Sequence, residues 1–135
     1  NVKEEGLESK LIKCMNSLGI KDYFFLDQSF PFLIKCSNDG LKNCATRVSE
    51  FENLNTALSL RGKIDWIWVD CFTKFPLNRI DYDKLKDASF KMCLVSPELQ
   101  GQNAVTAIPK MKLEINKINI KIDAVCTKRP DLWEI

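Results

Sequence analysis

Residues 64–72 read Ile-Asp-Trp-Ile-Trp-Val-Asp-Cys-Phe. Trp66, Ile67, Trp68 and Val69 stand together, and β-branched and aromatic residues of this kind fit a pleated strand. A run that is apolar at consecutive positions belongs to a strand covered on both faces, as in a parallel sheet. Just before it, Gly62 closes a helical pattern over Glu50–Leu60, in which Phe51, Leu54, Ala57 and Leu58 recur at helical spacing. Just after it, Pro76 and Asn78 precede a second helical pattern over Ile80–Ala88, with Ile80, Leu85 and Ala88 as its expected inner residues.

The same rhythm extends in both directions. Towards the C-terminus, Lys91–Ser96 reads as a strand, about Val105–Ile118 as a helix carrying Ile108, Met111, Ile115 and Ile118, and Lys121–Thr127 as a strand. Pro109 is expected in the first turn of that helix, where its missing N–H matters least. Towards the N-terminus, Asn43–Val48 is a weaker strand, preceded by the turn signal Ser37-Asn38-Asp39-Gly40 and a short helical turn over Pro31–Cys36. Asp22–Asp27 reads as a strand buried on both sides, and residues 4–18 as a helix with Leu7, Leu11, Cys14, Met15 and Leu18 on one face and Gly19 as its cap. Helices alternating with about five apolar strands predict an α/β fold with a parallel sheet, in a single domain over residues 1–135.

Composition narrows the chemistry. The 135 residues carry 20 basic and 18 acidic side chains, a net charge of +2, which gives no electrostatic argument for a nucleic-acid or membrane-surface partner. No histidine is present, so a mechanism that needs an imidazole acid, base or metal ligand cannot run on this chain alone. Cysteines stand at 14, 36, 44, 71, 93 and 126 with no C-x-x-C pair. Cys44, Cys71, Cys93 and Cys126 fall in or beside apolar runs, which predicts free thiols in a reducing compartment and a cytoplasmic location. Asn1–Lys10 is polar and unlike a signal peptide, and no apolar run is long enough to span a membrane. An opening Asn in place of Met suggests a processed chain or a fragment.

The predicted strands end in Asp27, Arg47, Asp70, Ser96 and Thr127, and in parallel α/β folds ligands bind at the carboxyl ends of the strands. Arg47 is the best anion contact, because a guanidinium can grip a phosphate bidentately. Asp70 reads either as a buried base or metal-site neighbour, or as a structural carboxylate holding the next loop. Glu98, just after Ser96-Pro97, reads as a rim residue or as a helix-capping, solvated one. Arg129 could equally be structural.

The run Ile122-Asp123-Ala124-Val125-Cys126-Thr127-Lys128-Arg129-Pro130-Asp131-Leu132 resembles the last strand of the glycerophosphodiester phosphodiesterase family, with Lys128 where that family usually has Asp. The resemblance implies that the strands at Asp22–Asp27, Asn43–Val48, Ile64–Phe72 and Lys91–Ser96 are strands four to seven of a TIM-type (β/α) barrel. Asn1-Val2-Lys3 is then similar to the tail of strand three. At about 27 residues per unit, eight units make ~216 residues, within the usual range for this barrel. The chain would thus be its C-terminal portion, a partial barrel, with about three units upstream. The family's catalytic histidines and Glu-x-Asp metal ligands belong to those upstream units. Asn1 stands at a metal-carboxylate position, where a neutral amide is a weaker ligand for Mg²⁺ or Ca²⁺, and Lys3 matches a lysine that faces the phosphate.

Three readings follow. In the first, the chain is the inactive C-terminal part of a metal-dependent phosphoric diester hydrolase of lipid metabolism, with Lys3, Arg47, Asp70 and Glu98 near a small phosphodiester. It would hold no cofactor itself, the divalent metal belonging to the full-length parent. In the second, the barrel is a degenerate module that binds a phosphorylated or polyol ligand. In the third, it is a complete small α/β domain like the flavodoxin-type folds, against which the lack of a Gly-rich phosphate loop counts. An open half-barrel would expose its edges at Asp22–Asp27 and Lys121–Thr127. Side chains such as Phe24, Trp66, Trp68, Met92 and Val125 would be partly uncovered, so that its partner is the missing N-terminal portion or a second copy.

Overall fold

A computed structural model describes every residue of the chain except Lys3 and Ile135. Its elements run α1 (Glu8–Ser17), α2 (Phe30–Asn38), β1 (Ala45–Val48), α3 (Leu54–Leu58), β2 (Trp66–Val69), α4 (Arg79–Asp87), β3 (Lys91–Val95), a 3-10 turn (Pro97–Gln100), α5 (Ala104–Lys117), β4 (Ala124–Cys126) and α6 (Pro130–Trp133). The four strands form one all-parallel sheet in the order β1-β2-β3-β4, so the chain is an α/β fold. Among the described residues no helix is long and apolar enough to cross a membrane.

The strand order follows the sequence without reversal. Parallel crossovers are right-handed almost without exception, so crossovers that all step the same way put α3, α4 and α5 on one face of the sheet. The burial pattern agrees. Register places Ile67 beside Met92, and Val48, Val69, Leu94 and Val125 in one row. Ile67, Val69, Met92 and Leu94 are fully buried and join Ala57, Leu60, Leu85, Met111 and Ile115 from the helical segments in one core. The opposite face carries Ala45, Arg47, Trp66, Trp68, Lys91, Cys93, Val95, Ala124 and Cys126. There both tryptophans are only half-buried. Phe24 stacks on Trp66 at 4.7 Å between ring centroids and meets Trp68 edge-on at 6.2 Å. Of the five side chains expected on the uncovered face, Phe24, Trp66 and Trp68 lie there. Met92 and Val125 belong to the helix-covered side, because their register partners are Ile67 and Leu94.

Several local expectations change. The strand at Asp22–Asp27 shrinks to a single parallel bridge between Phe25 and Cys44, held by Phe25 N–H to Asn43 O at 2.9 Å and Ala45 N–H to Phe25 O at 2.8 Å. Asp27 ends the extended run by taking φ of 64°, and Phe24 is half-exposed, so the segment is not buried on both sides. On its other flank Val2 N–H donates to Leu26 O at 2.7 Å, which lays Asn1–Val2 beside it. The helix read over Glu50–Leu60 keeps only Leu54–Leu58. Asn53 caps it by accepting from Asn55 N–H, and Phe51 is left outside, 78% exposed. Ile80 points outward, and Tyr82, Leu85 and Ala88 make the inner face of the α4 segment. In α1 the packing face is Leu7, Glu8, Leu11 and Ile12, while Cys14 and Leu18 are exposed. Pro109 is the sixth residue of α5, beyond the first turn.

Candidate site at the carboxyl ends of the strands

Parallel strands deliver their last side chains to one end of the sheet, and there the chain gathers its polar network. Arg47 comes from β1 on the open face, and Asp70 follows β2 on the same face two residues beyond Trp68. Arg47 Nη2 donates to Asp27 Oδ1 at 2.5 Å. Its Nε lies 3.8 Å from Asp70 Oδ2 and 4.0 Å from Glu52 Oε1. One guanidinium therefore faces three carboxylates. The Asp70 side chain is only 6% exposed, and Gln100 from the 3-10 turn donates Nε2 to its Oδ1 at 2.6 Å, which fixes the plane of that buried carboxylate.

The loops around this network are clamped by two further carboxylates. Glu50 accepts from the backbone N–H of Phe72 (3.2 Å), Thr73 (2.7 Å) and Lys74 (2.9 Å), and from the Thr73 hydroxyl (2.9 Å). Burial alone would raise its pKa, but the donors from Thr73 and Lys74 outweigh it and bring Glu50 down to about 2. Glu98 accepts from Ser96 Oγ, from Thr127 Oγ1 at 2.6 Å and from Lys128 N–H at 2.9 Å. Against the effect of burial, those donors hold its pKa below the ordinary carboxylate value. Ser96 also accepts from Trp133 Nε1 at 2.8 Å, so Glu98 ties the turn after β3 to the end of β4 and to α6. Arg129 pairs with Asp131 at the surface.

Of the residues singled out from sequence, Arg47 and Asp70 come together, and Glu98 stands in a separate hydrogen-bonded cluster of the same rim. Lys3 lies outside the described residues. Asn1 is exposed beside Val2, whose own side chain is buried. Asp27 was visible only as a strand end, and Glu50, Glu52 and Gln100 were not read as site residues at all. The density of acids in Ser49-Glu50-Phe51-Glu52, directly after a strand that ends in Arg, was the available signal.

A divalent metal, which the family resemblance implies, does not fit the residues present. Among the described residues no group of three or more Cys, Asp or Glu is placed to hold one, Asn1 offers a neutral amide, and Asp27 and Asp70 are engaged by Arg47 and Gln100. The six cysteines are free. Burial pushes the Cys44 and Cys93 thiols up to about 12 and raises Cys71 further, so these three are inert at neutral pH. No protein-family model, curated protein or solved structure matches the chain.

Proposed function

We propose that the chain is the C-terminal wall of a (β/α) barrel of the glycerophosphodiester phosphodiesterase type, and that its parent cleaves a small phosphodiester at the carboxyl ends of the strands. The observation that carries this reading is the unreversed parallel order β1-β2-β3-β4. A doubly wound sheet reverses its order at a switch point and covers both faces with helices. Here the crossovers all step one way, and Phe24, Trp66 and Trp68 lie half-buried on the opposite face, as barrel-interior side chains do before the barrel closes. The bond from Val2 to Leu26 supports the mapping of Asn1-Val2 beside the segment assigned to strand four.

In this reading the chain supplies the rim: Arg47, Asp70 and Glu52 meet the ligand, Gln100 orients Asp70, and Glu50 and Glu98 hold the loops. Acid–base groups come from the upstream strands, and no step is assigned to a metal. A second reading, a barrel that binds a phosphorylated or polyol ligand without cleaving it, is favoured by the amide at Asn1 in place of a carboxylate.

The test compares the 135-residue chain with the natural protein that contains it, using a chromogenic phosphodiester. The isolated chain is expected to give no turnover and the containing protein to give turnover. Binding of the diester without turnover would select the second reading, and neither binding nor turnover in the containing protein would overturn both.

A further inference from the structure

Glu8 is the first residue of α1 and only 5% exposed. A buried carboxylate ordinarily has a cation or several donors around it. Glu8 has one side-chain donor, Gln28 Nε2 to its Oε1 at 2.8 Å, and that amide brings no charge. The Oε1 of Gln28 is itself buried without a partner. Among the described residues no Lys or Arg pairs with Glu8, and its Oε2 accepts no hydrogen bond. The positive end of α1 supplies at most about half an elementary charge.

Glu8 lines a cavity of about 460 Å³ between α1 and α2, within the roughly 300–1,000 Å³ of small-molecule sites. Cys36 of α2 shares that lining, and Glu8 acts on it: burial raises the Cys36 thiol pKa, and the Glu8 carboxylate raises it further. Two carboxylates, Glu8 and Asp39 just past α2, stand there against one ammonium, Lys35, so the cavity favours a cation. Lys35 is not free to fill that role at Glu8, because its Nζ lies 5.5 Å from the centre of the Phe32 ring. A metal ion fits poorly, since among the described residues no group of three or more Cys, Asp or Glu is placed to hold one. An organic ammonium fits: it brings the charge and three donors, and the apolar side chains of Ile12, Phe32 and Leu41 offer a wall for hydrocarbon. From this combination we infer that the cavity between α1 and α2 binds a primary alkylammonium, its head on the free oxygen of Glu8 and its stem along Ile12, Phe32 and Leu41. The cavity shares no lining residue with the Arg47 rim, so the inference stands or falls apart from the hydrolase reading.

Saturation-transfer difference NMR of the 135-residue chain with n-butylammonium chloride, at fixed ionic strength, tests it. The butyl protons are expected to receive saturation. The neutral n-butanol, of nearly the same shape, is expected to bind at least about tenfold more weakly. Glu8→Gln keeps an acceptor for Gln28 and loses the charge, and is expected to weaken the ammonium by about the same factor. Circular dichroism checks its fold. Phe32→Ala, at a half-buried position of the wall, is expected to weaken binding about threefold and keeps the test open if Glu8→Gln does not fold. Absence of transfer, equal binding of n-butanol, unchanged binding in either folded variant, or displacement by millimolar Mg²⁺ would overturn the inference.

Discussion

Glu50 gathers three backbone N–H groups and a hydroxyl around one carboxylate, and its stabilising effect depends on charge. Its folded pKa of about 2 lies below the ordinary 4.5, so its contribution is present above about pH 4.5 and is lost as pH falls towards 2. Glu50→Gln keeps the shape and loses the charge, and is expected to cost about 1–3 kcal/mol at neutral pH. Urea unfolding should show the gap between wild type and variant closing between pH 4.5 and 2. A gap that stays constant with pH would mean that the loss comes from altered hydrogen-bonding geometry and not from the charge. Thiol reactivity is a second test at this scale. Cys14 is exposed, whereas Cys44, Cys71 and Cys93 are buried with raised pKa values. Alkylation of the native protein without reductant should therefore modify Cys14 first and leave those three unmodified until denaturant is added, when all six react. Early modification of Cys71 would contradict its complete burial in the core. Such single-residue features were poorly legible in the sequence. Arg47 and Asp70 could be found because each ends an apolar run. Gln100 and Glu50 act on partners 30 and 22–24 residues away, and no spacing rule reports a contact made by the fold.

Elements were more legible where the apolar pattern and the punctuation agreed. The strand cores at Trp66–Val69 and Lys91–Val95 fall inside their predicted runs, because consecutive apolar residues bounded by Asp or Ser leave little alternative. Asp22–Asp27 had the composition of a strand, but the left-handed backbone at Asp27 limits it to one bridge. Helix ends went astray where a cap was overlooked: Asn53 starts α3 and so excludes Phe51, and Asn103 starts α5 one residue before the predicted Val105. The second case moves Pro109 to the sixth helical position, where it removes the hydrogen bond to Val105 O and crowds that carbonyl. Pro109 is exposed, so its replacement creates no cavity. Pro109→Ala is expected to raise stability by about 1–3 kcal/mol, seen as a higher urea midpoint with an unchanged slope. A lower midpoint would show that the proline fixes a bend that the packing of Ile108 and Met111 requires.

The molecule as a whole is asymmetric: one face of its sheet lies under helices and the other shows aromatic rings. Phe24, Trp66 and Trp68 form a contiguous cluster, with Lys91 Nζ 5.5 Å above the Trp66 ring at its margin. Among the described residues β4 pairs on one side only, and its three residues are half-buried. Half-buried aromatic rings on the open face and an unpaired edge at β4 are both templates for association. Light scattering on the 135-residue chain at micromolar concentration should accordingly report a particle at least twice the 15.5 kDa of one chain. The double variant Trp66→Lys, Trp68→Glu should shift it towards one chain while leaving the far-ultraviolet circular dichroism intact, because Ile67 and Val69 on the covered face keep the core. If wild type is instead a stable single particle of one chain, the open face is tolerated in water. A sheet stable on its own in water has no energetic need of further strands, and a self-sufficient α/β domain becomes the better description. If the chain associates and the variant does not, the driving force is localised to the face that a barrel would enclose. Burying those rings costs no change to the helix-covered side, so closure by further strands of the same protein would need only new partners on the open face and at the edge of β4.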